Sequence, residues 1–355
     1  MQAQKTEGLI SLALEMIEIQ HQTSLQALNT FGIDVHAAHL AHVRNESDLQ
    51  DFFSHASLAE LPRLVLGGGS NVLFTQDFPG VVLLIGLQGR KIVRESDDDL
   101  VLEVAAGENW HALVLHAVAQ GWGGIENLSL IPGKVGAAPI QNIGAYGVEL
   151  RDRFEYLDFF HFESRSTERF YAADCQFGYR DSVFKRELKG QGIILRVALR
   201  LSRRNHTLNT SYGAIEKELD ARGIASPTLR DISEVVIAIR QSKLPDPAQI
   251  GNSGSFFKNP ELPTAQFEAL KREFPDLPGY VISDAVTKVP AAWLIDRAGW
   301  KGQTFGNYGV HKNQALVLVN YGGARGRDIY DLSGRILESV REKYGVELER
   351  EVNVI

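Results

Sequence analysis

An α+β fold is predicted for this chain. Short apolar runs with strand character are interspersed with segments of helical periodicity, and glycine-dense stretches lie between them. At 355 residues there is length for two or three domains and a large buried core. In chain order, Arg63-Leu64-Val65-Leu66 reads as a short buried strand that runs straight into Gly67-Gly68-Gly69-Ser70-Asn71. Strand-like runs follow at Val81 to Ile85 and Leu100 to Ala105. Asn109 to Gln120 reads as a helix, with Leu113, Leu115, Ala117 and Val118 as its apolar positions. A glycine-dense stretch from Gly133 to Gly147 precedes alternating strands at Phe154 to Phe162 and Ile193 to Leu201. Leu229 to Gln241 is expected to be a helix that stops before Pro245 and Pro247, where a domain boundary is placed. Beyond it come a helix at Ala291 to Ala298, a buried strand at Ala315 to Val319, a helix at Asp328 to Lys343 and a closing strand at Glu347 to Ile355.

Composition narrows the function. Hydrophobic content of 44% and charged content of 23% are those of an ordinary globular protein. The net charge of −7 argues against a nucleic-acid or anionic-membrane partner, though a basic cleft can still hold an acidic ligand. Cys175 is the single cysteine, so there is no internal disulfide framework and no cysteine-based zinc site; no metal is expected, and a cytoplasmic setting fits. No apolar run approaches the ~18 residues a membrane helix needs. Met1 to Gln22 has neither the basic front nor the cleavage site of a signal peptide and reads as an amphipathic or frayed helix.

Three glycine-rich or polar stretches carry the chemistry. In Gly67-Gly68-Gly69-Ser70-Asn71, consecutive N–H groups can converge into an anion-binding concavity, with Ser70 and Asn71 adding side-chain donors. Neither Gly-x-Gly-x-x-Gly nor Gly-Lys-Ser/Thr is present, so this is neither a Rossmann nor a Walker loop. Read alone it is equally a flexible connection. The run from Ile131 to Gly147 is rich in small residues and suits close backbone approach to a large flat ligand, with Gln141 and Asn142 as polar fixings. In Phe177-Gly178-Tyr179-Arg180-Asp181-Ser182 the guanidinium suits a carboxylate; Asp181 orients it or forms a surface ion pair.

The most informative segment is Gly251-Asn252-Ser253-Gly254-Ser255-Phe256-Phe257-Lys258-Asn259-Pro260. Two hydroxyls lie between glycines and are followed by two aromatics, a cation and an amide. A folded core has no need of that mixture, and it reads as a loop-to-strand passage presenting a hydroxyl and a cation into a site.

Together and in this order, these motifs resemble the UDP-N-acetylenolpyruvoylglucosamine reductase family, the MurB-type flavoproteins of peptidoglycan precursor synthesis. Leu28-Asn29-Thr30-Phe31-Gly32-Ile33, Ala292-Trp293-Leu294-Ile295-Asp296 and Glu349-Arg350-Glu351-Val352 add to the likeness, which covers roughly nine-tenths of the chain. The resemblance implies a non-covalent FAD site of the vanillyl-alcohol-oxidase/PCMH type in two α+β lobes, residues 25–90 and 91–241, the second joined by 345–355. It also implies a separate α+β domain, 242–344, for the sugar nucleotide, with 1–24 as an extension outside the family core. The cofactor would be held by Gly67, Gly68, Gly69, Ser70, Asn71, Gly133, Gly136, Gln141, Ile143, Gly144 and Ala145. The nucleotide would meet Tyr179, Tyr212, Lys243, Asn259, Tyr280 and Gln314, with Asn209 to Gly213 as a closing loop.

The implied reaction is an NADPH-dependent reduction of UDP-N-acetylglucosamine enolpyruvate to UDP-N-acetylmuramate by a monomer. The flavin delivers hydride to the terminal enolpyruvyl carbon, Arg180 holds the substrate carboxylate as negative charge develops, and Ser255 protonates the adjoining carbon. Glu351 would work protonated or through a hydrogen bond, and burial would raise its pKa in the required direction. A flavin oxidase of the same fold and a non-redox sugar-nucleotide-binding protein are the alternatives. Besides the extension before about Leu25, two positions depart from the family pattern. Ser253 stands where relatives often have alanine; if the segment is a strand, it shares a face with Ser255. Asn353 stands where relatives often carry arginine.

Overall fold

The computed structural model describes residues 17–355. Two sheets dominate it. A four-stranded sheet runs in the order Ile19–Ser24, His36–Val43, Phe78–Ile85, Arg63–Leu66; the first pair is antiparallel and the others are parallel. A five-stranded antiparallel sheet runs in the order Thr167–Tyr171, Phe154–His161, Gly192–Ser202, Asp99–Ala105, Arg90–Glu95. Between them Val81 and Leu83 pack with Phe160, Ile193 and Leu195 in one apolar cluster, so the two sheets share a core.

The helices follow from local sequence. Trp110–Ala119 begins where the Asn109 side chain accepts the Ala112 N–H at 2.9 Å. Leu229–Lys243 opens with a capping box in which Thr228 and Asp231 satisfy each other's backbone donors. It ends at Leu244, whose extended backbone is what Pro245 imposes on its predecessor. That stop leaves Arg240 in the last turn and Leu244 just beyond it, both facing a cleft.

A third core mixes distant parts of the chain. Phe31 and Phe74 pack with Phe256, Phe257, Ile329 and Ile336 in one buried cluster. Helix Gly326–Tyr344 supplies much of it, and small sheets at 261–288 and 304–320 lie around it.

Four sequence expectations are corrected. Of the helix expected over Met1 to Gln22, residues 1–16 lie outside the described residues. The segment Ile19–Ser24 is a strand, paired so that His21 faces His39. The buried strand expected at 315–319 is confined to Leu318–Asn320, because Ala315 and Leu316 belong to a turn in which Val317 N–H bonds Gln314. The closing strand is a broken strap. Arg350 bridges Phe257, and Asn353–Val354 pairs in parallel with Val72–Leu73. The segment 251–260 is not a strand either: Gly254 takes φ +73°, which ends any simple alternation between Ser253 and Ser255.

Candidate functional site

The first two glycine stretches meet face to face. A Cβ on Gly68 would stand 3.1 Å from Gly133 Cα, and one on Gly133, at φ +112°, would stand 2.8 Å from Ser70 Oγ. Gly69 is the most constrained: at φ +60° a Cβ would fall 1.9 Å from the Leu28 carbonyl. These glycines therefore let two loops approach each other and leave backbone exposed along their seam. The seam forms one wall of a cleft of about 270 Å³, and Gly67 to Asn71, Gln141, Ile143 and Gly144 line it. A second space of about 390 Å³ shares Val65, Gly67, Lys134 and Ile140 with the first and ends among Phe159, Phe162 and Phe184. Gly136 lines this second space, whereas Gly133 and Ala145 line neither.

The opposite wall is made of side chains brought from far apart. The C-terminal strap passes between the serine segment and the glycine loop: Glu351 N–H donates to Phe256 O at 2.8 Å, and Asn353 N–H to Asn71 O at 3.1 Å. That threading carries Glu351 to Arg180, whose Nε lies 3.2 Å from its Oε1. Gln141 Nε2 approaches the same oxygen at 3.4 Å, and Asn71 Nδ2 donates to Gln141 Oε1 at 2.8 Å. Arg180, Glu351 and Ser255 line the same cleft.

Arg180 is held under strain. Its φ of +52° lies in the left-handed region, which costs a non-glycine residue of order 1 kcal/mol or more. Its Nη2 donates to Gly144 O at 2.6 Å, and Lys185 Nζ donates to its carbonyl at 3.2 Å. Asp181 does not orient it; Asp181 pairs with Arg186 instead. Burial pushes the Glu351 carboxyl above its ordinary value, and Arg180, Lys185 and Lys258 pull the other way. Burial and neighbouring Lys258 lower Lys185.

The six residues expected to bind nucleotide lie outside the lining of this cleft. Tyr212 packs edge-on to Tyr146 at 5.3 Å and remains exposed. Tyr280 is exposed on a strand beside Val281 and Ile282. Lys243 is exposed at the last residue of its helix. Asn259 Oδ1 accepts the Ala291 N–H that opens helix Ala291–Arg297, a structural bond. Tyr179 lies under Lys288 Nζ, 3.4 Å from the ring centroid. Gln314 Oε1 accepts the Leu316 N–H at 3.3 Å, and Leu316 O accepts that of Phe256.

Sequence reasoning missed Lys134, Trp110, Arg240 and Leu244, which also line the cleft. Lys134 lay inside a quoted motif and was the one cation in it. Arg240 carried no local signal, since it reads as an ordinary basic residue near a helix C-terminus.

A cleft lined by a glycine cradle and by polar side chains suits a dinucleotide-type cofactor. A family model described as FAD binding domain matches residues 37–161. This fold and cleft define an FAD-dependent oxidoreductase. Residues 246–355 match the model described as UDP-N-acetylenolpyruvoylglucosamine reductase, C-terminal domain. The UDP-N-acetylenolpyruvoylglucosamine reductase of Flavobacterium johnsoniae is 49% identical over 339 residues, 96% of this chain and 100% of that one. The Pseudomonas aeruginosa reductase of the same name is 51% identical over 338 residues, 95% of this chain and 99% of its own. A crystal structure of the Thermus caldophilus enzyme (MurB) is similar with a TM-score of 0.66 and 25% identity, and the match covers 95% of this chain and 98% of that one. The chain belongs to the UDP-N-acetylenolpyruvoylglucosamine reductase family.

Proposed function

We propose that this protein reduces UDP-N-acetylglucosamine enolpyruvate to UDP-N-acetylmuramate with NADPH as reductant, using Ser255, Arg180 and Glu351. The observation that carries this is the Arg180–Glu351 pair, 3.2 Å apart, in the same cleft as Ser255 and the glycine seam. Bound FAD supplies hydride chemistry there, held along Gly67 to Asn71, Gln141, Ile143 and Gly144.

The side chains account for the rest of the reaction. Arg180 offers its remaining N–H donors to the substrate carboxylate and stabilises charge that develops on it. The Nη2 bond to Gly144 O fixes its guanidinium, and the Lys185 bond to its carbonyl fixes its backbone, before substrate arrives, so little reorganisation is needed. Ser255 Oγ donates the proton to the carbon next to the carboxylate, and the nearby cations favour the alkoxide left behind. Glu351, kept protonated to higher pH by burial, can stand beside developing negative charge without repelling it. Residues 242–344 form the part that covers the sugar nucleotide, with Tyr280 and Lys243 exposed on it and Tyr212 exposed on the neighbouring lobe to close on the ligand. A cytoplasmic location fits the substrate, and among the described residues no helix is long and apolar enough to cross a membrane.

Half-reaction kinetics of Ser255→Ala test the reading. Flavin bleaching by NADPH should persist, while recolouring by the enolpyruvyl sugar nucleotide slows by about 10²–10⁴-fold. The same result with Ser253→Ala, and not with Ser255→Ala, would move the proton-donor role to Ser253. Fast recolouring by air alone would favour an oxidase, and colourless protein that cannot take up FAD a non-redox binding protein.

A further inference from the structure

The second glycine stretch runs on past the cleft into a hairpin whose tip touches another segment of chain. Gly144–Ala145 pairs with Val148–Glu149, and Tyr146 and Gly147 form the turn between them at φ +50° and +80°. Both values are left-handed, as the favoured two-residue hairpin turn requires. The two turn carbonyls are both taken. Asn127 Nδ2 donates to Tyr146 O at 3.1 Å, and Asn209 Nδ2 donates to Gly147 O at 3.0 Å. Asn127 Nδ2 also donates to Asn209 O at 2.8 Å, so one amide group bridges the hairpin tip and the segment that leads to Tyr212.

Asn127 is built into a fixed platform. It is fully buried in the short helical turn Glu126–Leu128. Leu128 O accepts the Trp110 indole N–H at 3.1 Å, and Ser129 Oγ meets Ser233 Oγ at 2.8 Å, which ties the platform to two helices. The two carbonyls facing the amide require its nitrogen, because neither can donate. The cost falls on the other side of the amide, where Oδ1 is buried with no partner among the described residues.

The main chain of Tyr212 is thereby held from both flanks. Upstream, Asn209 is clamped, and its Oδ1 accepts from Ser211 Oγ at 3.2 Å. Downstream, Tyr212 O accepts the Ile215 N–H at 2.7 Å, where helix Gly213–Ala221 begins. The exposed ring is the free part, and it stands edge-on to Tyr146 of the turn. At the base of the same hairpin, Gly144 O accepts from Arg180 Nη2. We propose that Asn127 and Asn209 are positioning residues for the sugar nucleotide: they clamp the Tyr212 segment to the hairpin tip and so set where its ring stands relative to Arg180. This rests on the reading above that Tyr212 meets the nucleotide.

The test uses full-length protein loaded with FAD and follows KM and kcat for the enolpyruvyl sugar nucleotide. Half-buried Asn209→Ala should raise KM by about threefold and Asn127→Ala by roughly threefold to tenfold, with kcat within about twofold of the parent's. A double-mutant cycle separates positioning from general loosening. Tyr212→Ala should raise KM by about tenfold by itself, and in that background neither asparagine variant should raise it further. Increases that multiply in the double variants would overturn the inference, as would an unchanged KM accompanied only by a lower melting temperature. If Asn127→Ala does not fold, the Asn209 cycle decides alone. Tyr212→Ala with the parent's KM would defeat the placement of Tyr212 at the nucleotide, and the clamp's role with it. A parent protein whose reduced flavin is not recoloured by this substrate would defeat the functional reading itself, before any variant is made.

Discussion

The two walls of the cleft are built on opposite principles. The glycine seam is close packing, with Gly68 seated on Gly133 and no room for a Cβ at Gly69 against the Leu28 carbonyl. The wall opposite is charge and hydroxyl carried in from four separate segments, and it includes strained and unpartnered groups: Arg180 at positive φ, Ser253 Oγ, Arg240 Nε. Closed packing stabilises the first wall. Polar groups held ready for a ligand destabilise the second, and they are tolerated because the surrounding structure fixes them. Chemistry should therefore be separable from stability by choosing the wall.

The sharpest separation is expected at Arg180. Arg180→Met should slow product formation by about 10²–10³-fold while thermal stability changes little, since removing the side chain also removes a desolvated charge. A large fall in melting temperature with near-parent turnover would reverse the contrast. Gly69→Ala should do the opposite. The carbonyl clash and left-handed backbone should cost about 2 kcal/mol or more, read as a lower melting temperature and lost FAD. Preserved stability with slowed chemistry would break the comparison from the other side.

Glu351 gives a finer test. Its pKa is raised by burial, so the folded state holds this proton more tightly than the unfolded chain does. The associated stability is present at low pH and is lost as pH rises from the unfolded value through the raised one. Recolouring by substrate should fall along the same limb. Glu351→Gln should lack that limb in its pH–rate profile; a profile parallel to the parent's would sink the protonated role. The smallest effect is expected away from both walls. Tyr280→Ala, on an exposed strand, should raise KM for the sugar nucleotide by roughly tenfold or less, with flavin reduction by NADPH unchanged.

What was legible in the sequence had a local cause. The apolar spacing of Asn109 to Gln120 and the stop at Pro245 predicted two helices because those signals act within a few residues, and the structure adds the cap at Asn109 and the box at Thr228. The strap at 349–355 was only half legible. Its apolar alternation suggested a strand, but its pairing with both Phe257 and Val72 depends on chain about 90 and 280 residues away. Ile19–Ser24 went unread for the same reason, since its partner His36–Val43 makes it a strand. In the site, Ser255, Arg180 and Glu351 were named through motif resemblance, and Lys134 was marked only as the one cation of a quoted motif, whereas Arg240 had nothing local to mark it.

The sequence by itself determined the α+β class, the glycine loops, the serine segment and the family, because each is encoded by residue types at short spacing. Only the tertiary structure decided that Arg180 pairs with Glu351 and not Asp181, and that Gly254 turns Ser253 away from strand alternation with Ser255. It also left Arg240 and Ser253 facing the cleft without partners. Those outcomes depend on which distant segments share a buried volume, and short-range spacing carries no record of that.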